Sequence, residues 1–172
     1  MIIRTDRLLL RPLCLSDLKT VHEYACDPEN TKYMLFLPNA TEQETEKFLR
    51  FAEREWQQEH PSSFEFAIVL EDVQIGAVSV SLSDIPNQGE VGWILNKKYW
   101  NCGYISEAAT AVLDFAKNQL RLHRVIAQCD WRNIASAKVM EKVGMRLIDE
   151  NGIRTYVKRE ESARELTYMI EF

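Results

Sequence analysis

The sequence predicts an α/β fold in which helices flank a mixed, mostly antiparallel sheet, and three observations predict it. Phe64 to Leu70, Ile75 to Ser83 and Glu90 to Leu95 are apolar runs joined by short polar turns, the pattern of an antiparallel meander. A later run, Arg124 to Trp131, is reached through a helix-patterned stretch and should lie parallel to its partner. The 172 residues are 46% apolar, long enough for one good core and short for two, so a single domain over residues 1–172 is expected.

The elements follow in order. Leu8 to Leu13 reads as a first strand, and Ser16 is placed to cap a helix through about Ala25, with Leu18, Val21 and Tyr24 or Ala25 inward. Asp27 to Asn39 reads as a loop with an apolar end, Tyr33 to Pro38. Thr41-Glu-Gln-Glu44 is a capping box that opens a helix to about Gln58, whose apolar face would be Phe48, Leu49, Ala52 and Trp56. After the meander, Ala108 onward is helix-patterned, and Asn133 to Met145 is a short helix with Gly144 as its stop. Strands around Leu147 to Val157 and Leu166 to Phe172 close the chain, with no repeat, linker or low-complexity tract.

Composition removes several function classes. With 21 basic and 26 acidic residues and a net charge of −5, there is no basic field for nucleic acid, and an amine-bearing or cationic substrate suits the charge better. Cys14, Cys26, Cys102 and Cys129 are scattered without a CxxC pair or a His at ligand spacing, so free thiols in a reducing cytoplasm are expected and no metal site is. The opening MIIRTDRLLLRP breaks its apolar stretch with charges, unlike a signal peptide, and no run approaches a membrane span.

The segment Asn96 to Ala108, NKKYWNCGYISEA, joins a strand to a helix through a turn containing Gly103. Unpartnered N–H groups and the macrodipole of a helix start form an anion site. Gly103 lets the backbone approach a phosphate, and Ser106 can add a hydroxyl. About thirty residues on, a strand leads into Asn133-Ile-Ala-Ser136 and its short helix.

This order of strand, anion-binding helix, strand and short helix opening on an Asn resembles the GNAT superfamily of acyl-CoA-dependent N-acyltransferases. Three segments resemble its RimJ and RimL ribosomal-protein N-terminal acetyltransferase branch: Arg4-Thr-Asp-Arg7-Leu8-Leu-Leu10-Arg11-Pro12 with Asp17, Trp100-Asn-Cys-Gly103-Tyr104-Ile-Ser106-Glu107-Ala108, and Asn133-x-Ala135-Ser136-x-x-Val139-Met140-Glu141-Lys142-x-Gly144. The matches run from about Thr5 to Met145.

The resemblance implies a sheet whose central strands, here Glu90 to Leu95 and Arg124 to Trp131, diverge around the pantetheine arm of acetyl-CoA. It implies that the backbone of Trp93, Ile94 and Leu95 pairs with pantetheine amides, and that an N–H near Leu95 stabilises the developing oxyanion. The Trp93 side chain itself reads as packing.

The family's diphosphate loop, Q/R-x-x-G-x-G/A, corresponds to Trp100-Asn101-Cys102-Gly103-Tyr104-Ile105. Ile105 replaces a small residue, and Cys102 stands where a Lys or Arg is common, a modest loss in a solvated site. Cys102 has no sequence-evident His partner for a nucleophile's role.

Asn133 would hydrogen-bond pantetheine and also cap its helix. Many members carry a tyrosine where this chain has Met140, so Ser136 is the implied general acid for the thiolate; a locally bonded helix serine is its structural reading. An α-amine with a pKa of about 7.8 is roughly 15% neutral at pH 7, whereas a lysine amine is below roughly 0.1%. Glu90 is the candidate to accept the amine proton through water, with a plain solvated carboxylate as the alternative. Glu107 reads as support for the phosphate loop, and His22 and His123 receive no catalytic role.

The expected activity is cytoplasmic N-acetyl transfer from acetyl-CoA to an amine, a protein N-terminus or a small molecule. The acceptor would enter among Met34 to Leu37, the first helices and the late strands near Tyr156. A non-catalytic acyl-CoA-binding module is the competing class; no nucleic-acid or membrane partner is expected, and monomer and homodimer both stay open.

Overall fold

The structure is a computed structural model that describes residues 1–172. In chain order it comprises β1 (Ile3–Arg4), β2 (Leu9–Pro12), α1 (Leu18–Ala25), α2 (Glu42–Glu55), β3 (Ser63–Leu70), β4 (Val73–Leu82), β5 (Gln88–Leu95), α3 (Tyr104–Asn118), β6 (Arg124–Asp130), α4 (Ile134–Lys142), β7 (Arg146–Thr155) and β8 (Ser162–Glu171). One eight-stranded sheet runs β1-β2-β3-β4-β5-β6-β8-β7. All neighbours are antiparallel except β5 and β6, as the crossover through α3 requires.

Strand alternation divides the core in two. One face carries Phe64, Phe66, Val78, Val80, Val91, Leu95, Val125 and Ala127 beneath α3 and buried Met140 of α4. Edge-to-face contacts of Trp56 and Phe115 with Phe64 and Phe66 fix this packing. The other face places Ala67, Val69 and Ala77 against Val21, Tyr24 and Ala25 of α1 and Leu49 and Ala52 of α2.

Three readings of the early helices change. Ser16 does not cap α1: Asp17 holds the N-cap position without a side-chain cap, its carboxylate turning back to accept from the Cys14 N–H at 3.1 Å and from Arg11 Nη2 at 2.5 Å across a short 3-10 turn, Leu15–Asp17. Phe48 is 39% exposed, and Thr45 takes its inner position, its hydroxyl bonded to His22 Nδ1 and to the Asn39 amide, both at 2.9 Å. The Thr41 hydroxyl accepts from the Glu44 N–H at 3.4 Å, but the Glu44 carboxylate turns to Lys158 and the Ala40 N–H instead of closing the box.

The β5–β6 pairing covers only Gln88–Arg124, Gly89–Val125 and Glu90–Ile126. Beyond it β5 stays with β4 and β6 stays with β8, so the sheet opens between its central strands. No helix is long and apolar enough to cross a membrane.

Candidate acyl-transfer site

The sheet's register decides which backbone groups face the opening. Asn96 N–H donates to the Ile75 carbonyl at 2.9 Å, which makes Gly76–Leu95 a non-hydrogen-bonded pair. By alternation the N–H and C=O of Trp93 and Leu95 point away from β4 into the gap, while those of Ile94 point at Ala77. Ile94 is therefore a correction: its peptide groups are spent on the β4 ladder, and only Trp93 and Leu95 can serve a ligand.

Leu95 is more specialised still. Its carbonyl already accepts from Asn30 Nδ2 at 3.0 Å and Trp100 Nε1 at 2.9 Å, so its N–H is the group left for a developing negative charge. Asn30 also accepts from the Lys97 N–H at 2.7 Å, tying the loop after α1 to the end of β5.

At the mouth of the gap, Gly103 takes φ +80° as the N-cap of α3, a conformation that costs an L side chain. Asn101 and Cys102 are exposed, Tyr104 and Ile105 half-buried, and the first turn of α3 has no side-chain cap. Its N–H groups are open to an anion. Ser106 is largely buried in that turn, which limits its hydroxyl to a minor part in any anion contact.

Two contacts from far upstream, which local patterning did not reveal, brace this turn. Arg7 Nη1 donates to the Cys102 carbonyl at 3.0 Å and Arg7 Nε to Glu107 Oε2 at 2.7 Å, while the Thr5 hydroxyl and the Arg7 N–H donate to Glu107 Oε1. Burial alone would raise the Glu107 carboxyl, but these donors outweigh it and hold it below its ordinary range.

Across the gap, Asn133 caps α4, its Oδ1 accepting from the Ser136 N–H at 3.2 Å. Its amide NH2 makes no bond within the chain, so capping and donation to a ligand are compatible. Ser136 is half-buried, with its hydroxyl free of intramolecular partners. Met140, 1% exposed, lies in the core.

The opposite face of the sheet carries a polar strip that local patterning missed. Register places Glu65, Ser79 and Gly92 side by side, then Ser63, Ser81, Glu90 and Ile126. Gln128, Thr167 and Glu165 continue it on β6 and β8. An alternating strand with a polar outer face is ordinary, which is why Glu65 drew no notice in the sequence. Burial pushes its carboxyl to about 7, only partly offset by the Ser63 hydroxyl at 3.4 Å. Glu90 sits at the last pair before the strands part. Its side chain is exposed, as the solvated alternative would have it; the protein mass around it and the charge of Glu165 still raise its carboxyl, with Arg154 opposing.

The far wall of this face is closed by a clasp. Val157 N–H donates to the Leu35 carbonyl at 3.0 Å, Arg154 Nη2 to Tyr33 O at 3.2 Å and Arg159 Nη2 to Lys32 O at 2.6 Å. Tyr156, expected near the acceptor, is 2% exposed, its hydroxyl donating to buried Asp130 at 2.5 Å. Burial would raise Asp130, but Arg132 and Tyr156 hold it at about 2. His22 serves Thr45 in the interior, and no group of three His, Cys, Asp or Glu side chains is arranged to hold a metal ion.

The chain matches a family described as the acetyltransferase (GNAT) domain over residues 7–146. It is 35% identical over 148 residues to the uncharacterized N-acetyltransferase YnaD of Bacillus subtilis, covering 84% of this chain and 82% of the relative. A GNAT-family acetyltransferase structure from Bacillus anthracis superposes with a TM-score of 0.83 at 32% identity, covering 99% of this chain and 98% of the other. RimL, a ribosomal-protein alpha-N-acetyltransferase in complex with coenzyme A, shares the fold with a TM-score of 0.88 at 17% identity, covering 100% of this chain and 98% of its own.

Proposed function

This chain belongs to the GNAT acetyltransferase family, and from that premise we propose that it transfers acetyl from acetyl-CoA directly to a protein N-terminal α-amine. The observation that carries the acceptor class is Glu90. It is the one ionisable side chain on β5, and it stands where the strands separate, on the face opposite α3 and α4. A lone carboxylate is a modest base; it suits an amine that is already partly neutral at pH 7 better than a lysine amine.

The residues divide the work as follows. The Trp93 peptide groups and the Asn133 amide hold the pantetheine arm, and the turn of Asn101, Cys102, Gly103, Tyr104 and Ile105, with Ser106 behind it, receives the diphosphate. The acceptor nitrogen forms its bond to the acetyl carbon while the Leu95 N–H takes the negative charge gathering on the carbonyl oxygen. The nitrogen's proton passes through water to Glu90. As the carbon–sulfur bond breaks, the thiolate takes a proton from the Ser136 hydroxyl, which recovers one from solvent.

The test combines acetyl-CoA with three pools: peptides with free N-termini, N-terminally blocked peptides containing lysine, and small amines including diamines. Thiol release is followed. Release is expected with free N-termini, and Ser136→Ala is expected to lower kcat by roughly 10²-fold with little change in KM. Faster release with small amines would reassign the acceptor. The burial of Met140 where relatives carry a tyrosine favours a second reading, a CoA-binding module without transfer. Tight CoA binding with no release from any pool and no effect of Ser136→Ala would establish that instead.

A further inference from the structure

The phosphate-binding turn carries no basic side chain of its own from Asn101 to Ile105. The nearest lysines in sequence are committed elsewhere. Lys97 pairs with Asp27 and Glu29 at 2.7 Å each, and Lys98 with Glu23 at 2.5 Å. A dianionic diphosphate at this turn would rely on peptide dipoles alone if no cation arrived from another part of the chain.

Arg7, in the turn between β1 and β2, does arrive. Its guanidinium bonds the Cys102 carbonyl and lies 4.6 Å from the centre of the Tyr104 ring. Its Nη2 is 3.6 Å from where a Cβ on Gly103 would stand. The side chain is 46% exposed, so it faces solvent at the turn, while its partner Glu107 is covered, at 17%. The carboxylate's charge is shared with the Thr5 hydroxyl and the Arg7 N–H.

We propose that Arg7 is the cation of the diphosphate site, standing in for the basic residue that Cys102 displaces, and that it also fixes the turn by holding the Cys102 carbonyl. This rests on the CoA-binding reading above. Unlike the paired lysines, Arg7 has donors to spare: Nε and Nη2 hold Glu107 at 2.7 Å and Nη1 holds the Cys102 carbonyl, which leaves the second hydrogens of Nη1 and Nη2 for a ligand, a fork that a flexible lysine would not reproduce. The role is a binding one, at the diphosphate and so a pantetheine's length from the thioester.

The experiment titrates wild type, Arg7→Lys, Arg7→Gln, Arg7→Ala and the double variant Arg7→Ala with Cys102→Lys with CoA by calorimetry and with pantetheine by ligand-observed NMR. Melting temperatures are measured alongside. CoA affinity should fall about tenfold in Arg7→Ala and Arg7→Gln, less in Arg7→Lys, and recover in the double variant, with pantetheine affinity unchanged throughout. Equal weakening of both ligands would make Arg7 a scaffold residue and overturn the proposal. So would unchanged CoA affinity in folded Arg7→Gln, or a double variant no better than Arg7→Ala. A wild-type chain that bound no CoA would remove the functional reading as well, whereas wild-type binding with indifferent Arg7 variants would remove this proposal alone.

Discussion

The side-chain amide of Asn30 donates to the carbonyl of Leu95 at 3.0 Å, inside the protein and 65 residues away in sequence. With Trp100 on the same oxygen and the Asn96 N–H bonded to Ile75, the peptide after Leu95 is held on both sides, which anchors the residue whose own N–H faces the gap. The loop after α1 thus orients the group assigned to the oxyanion.

Asn30→Ala is therefore expected to do two things. Losing both the Leu95 and the Lys97 bonds of a 9% exposed side chain should cost about 1–3 kcal/mol, read from urea unfolding midpoints. Because the residue carrying the oxyanion donor loses an anchor on its C-terminal side, kcat should fall while CoA affinity holds. A stability loss without any kcat change would leave Asn30 as a tether only.

At Asn133 the cap and the ligand donor are different atoms of one side chain, so substitutions can part them. Asn133→Ala should lose about 1 kcal/mol of stability together with CoA affinity. Asn133→Ser keeps a capping oxygen and lacks the NH2; it should retain stability and still bind CoA less tightly. If the serine variant bound CoA as well as wild type, the amide would have no ligand to serve.

Glu90 should appear in the pH profile of kcat/KM. Its carboxyl is raised by the surrounding protein and by Glu165 although the side chain reaches solvent, so the rate should climb with pH through a limb lying above the ordinary carboxylate range, as the base form appears. Glu90→Gln is expected to remove that limb and lower kcat/KM by roughly 10²-fold. A limb that survives unchanged in the glutamine variant would place the base elsewhere.

Glu65 makes a stability prediction with a definite sign. Its folded pKa of about 7 lies above the unfolded one, so the protonated form is favoured in the native state and the cost of ionising it is felt as pH rises. The associated stability is complete below the unfolded carboxylate range and is lost as pH climbs through about 7. Glu65→Gln should gain on the order of 2–3 kcal/mol over wild type at pH 8 and little at pH 4.5, by urea unfolding at both. Equal differences at the two pH values would refute the burial argument.

The meander, the parallel β5–β6 pair and both site helices were legible because each rests on local periodicity or on the length of a connection. Asn133 and Gly103 were legible for the same reason: a cap and a positive-φ turn announce themselves within a few residues. The misreadings share a different origin. Ile94 depends on which neighbour of β5 its peptide faces, a matter of register with β4. Ser16 is not the cap because a 3-10 turn, held by Arg11 and the Cys14 N–H on the Asp17 carboxylate, moves the helix start to Asp17. Phe48 points outward because Thr45 is needed inside by His22 and Asn39.

By itself the sequence determined the elements, their order and the turn and helix starts where a CoA would bind, since those follow from spacing and backbone preference within a few residues. Only the tertiary structure decided which peptide groups stay free in the gap, that Arg7 lies against the Gly103 turn, and that Glu65 and Glu90 share one face. Those depend on strand register and on contacts such as Arg7 with Glu107, 100 residues apart, and neither is encoded in any local window of the chain.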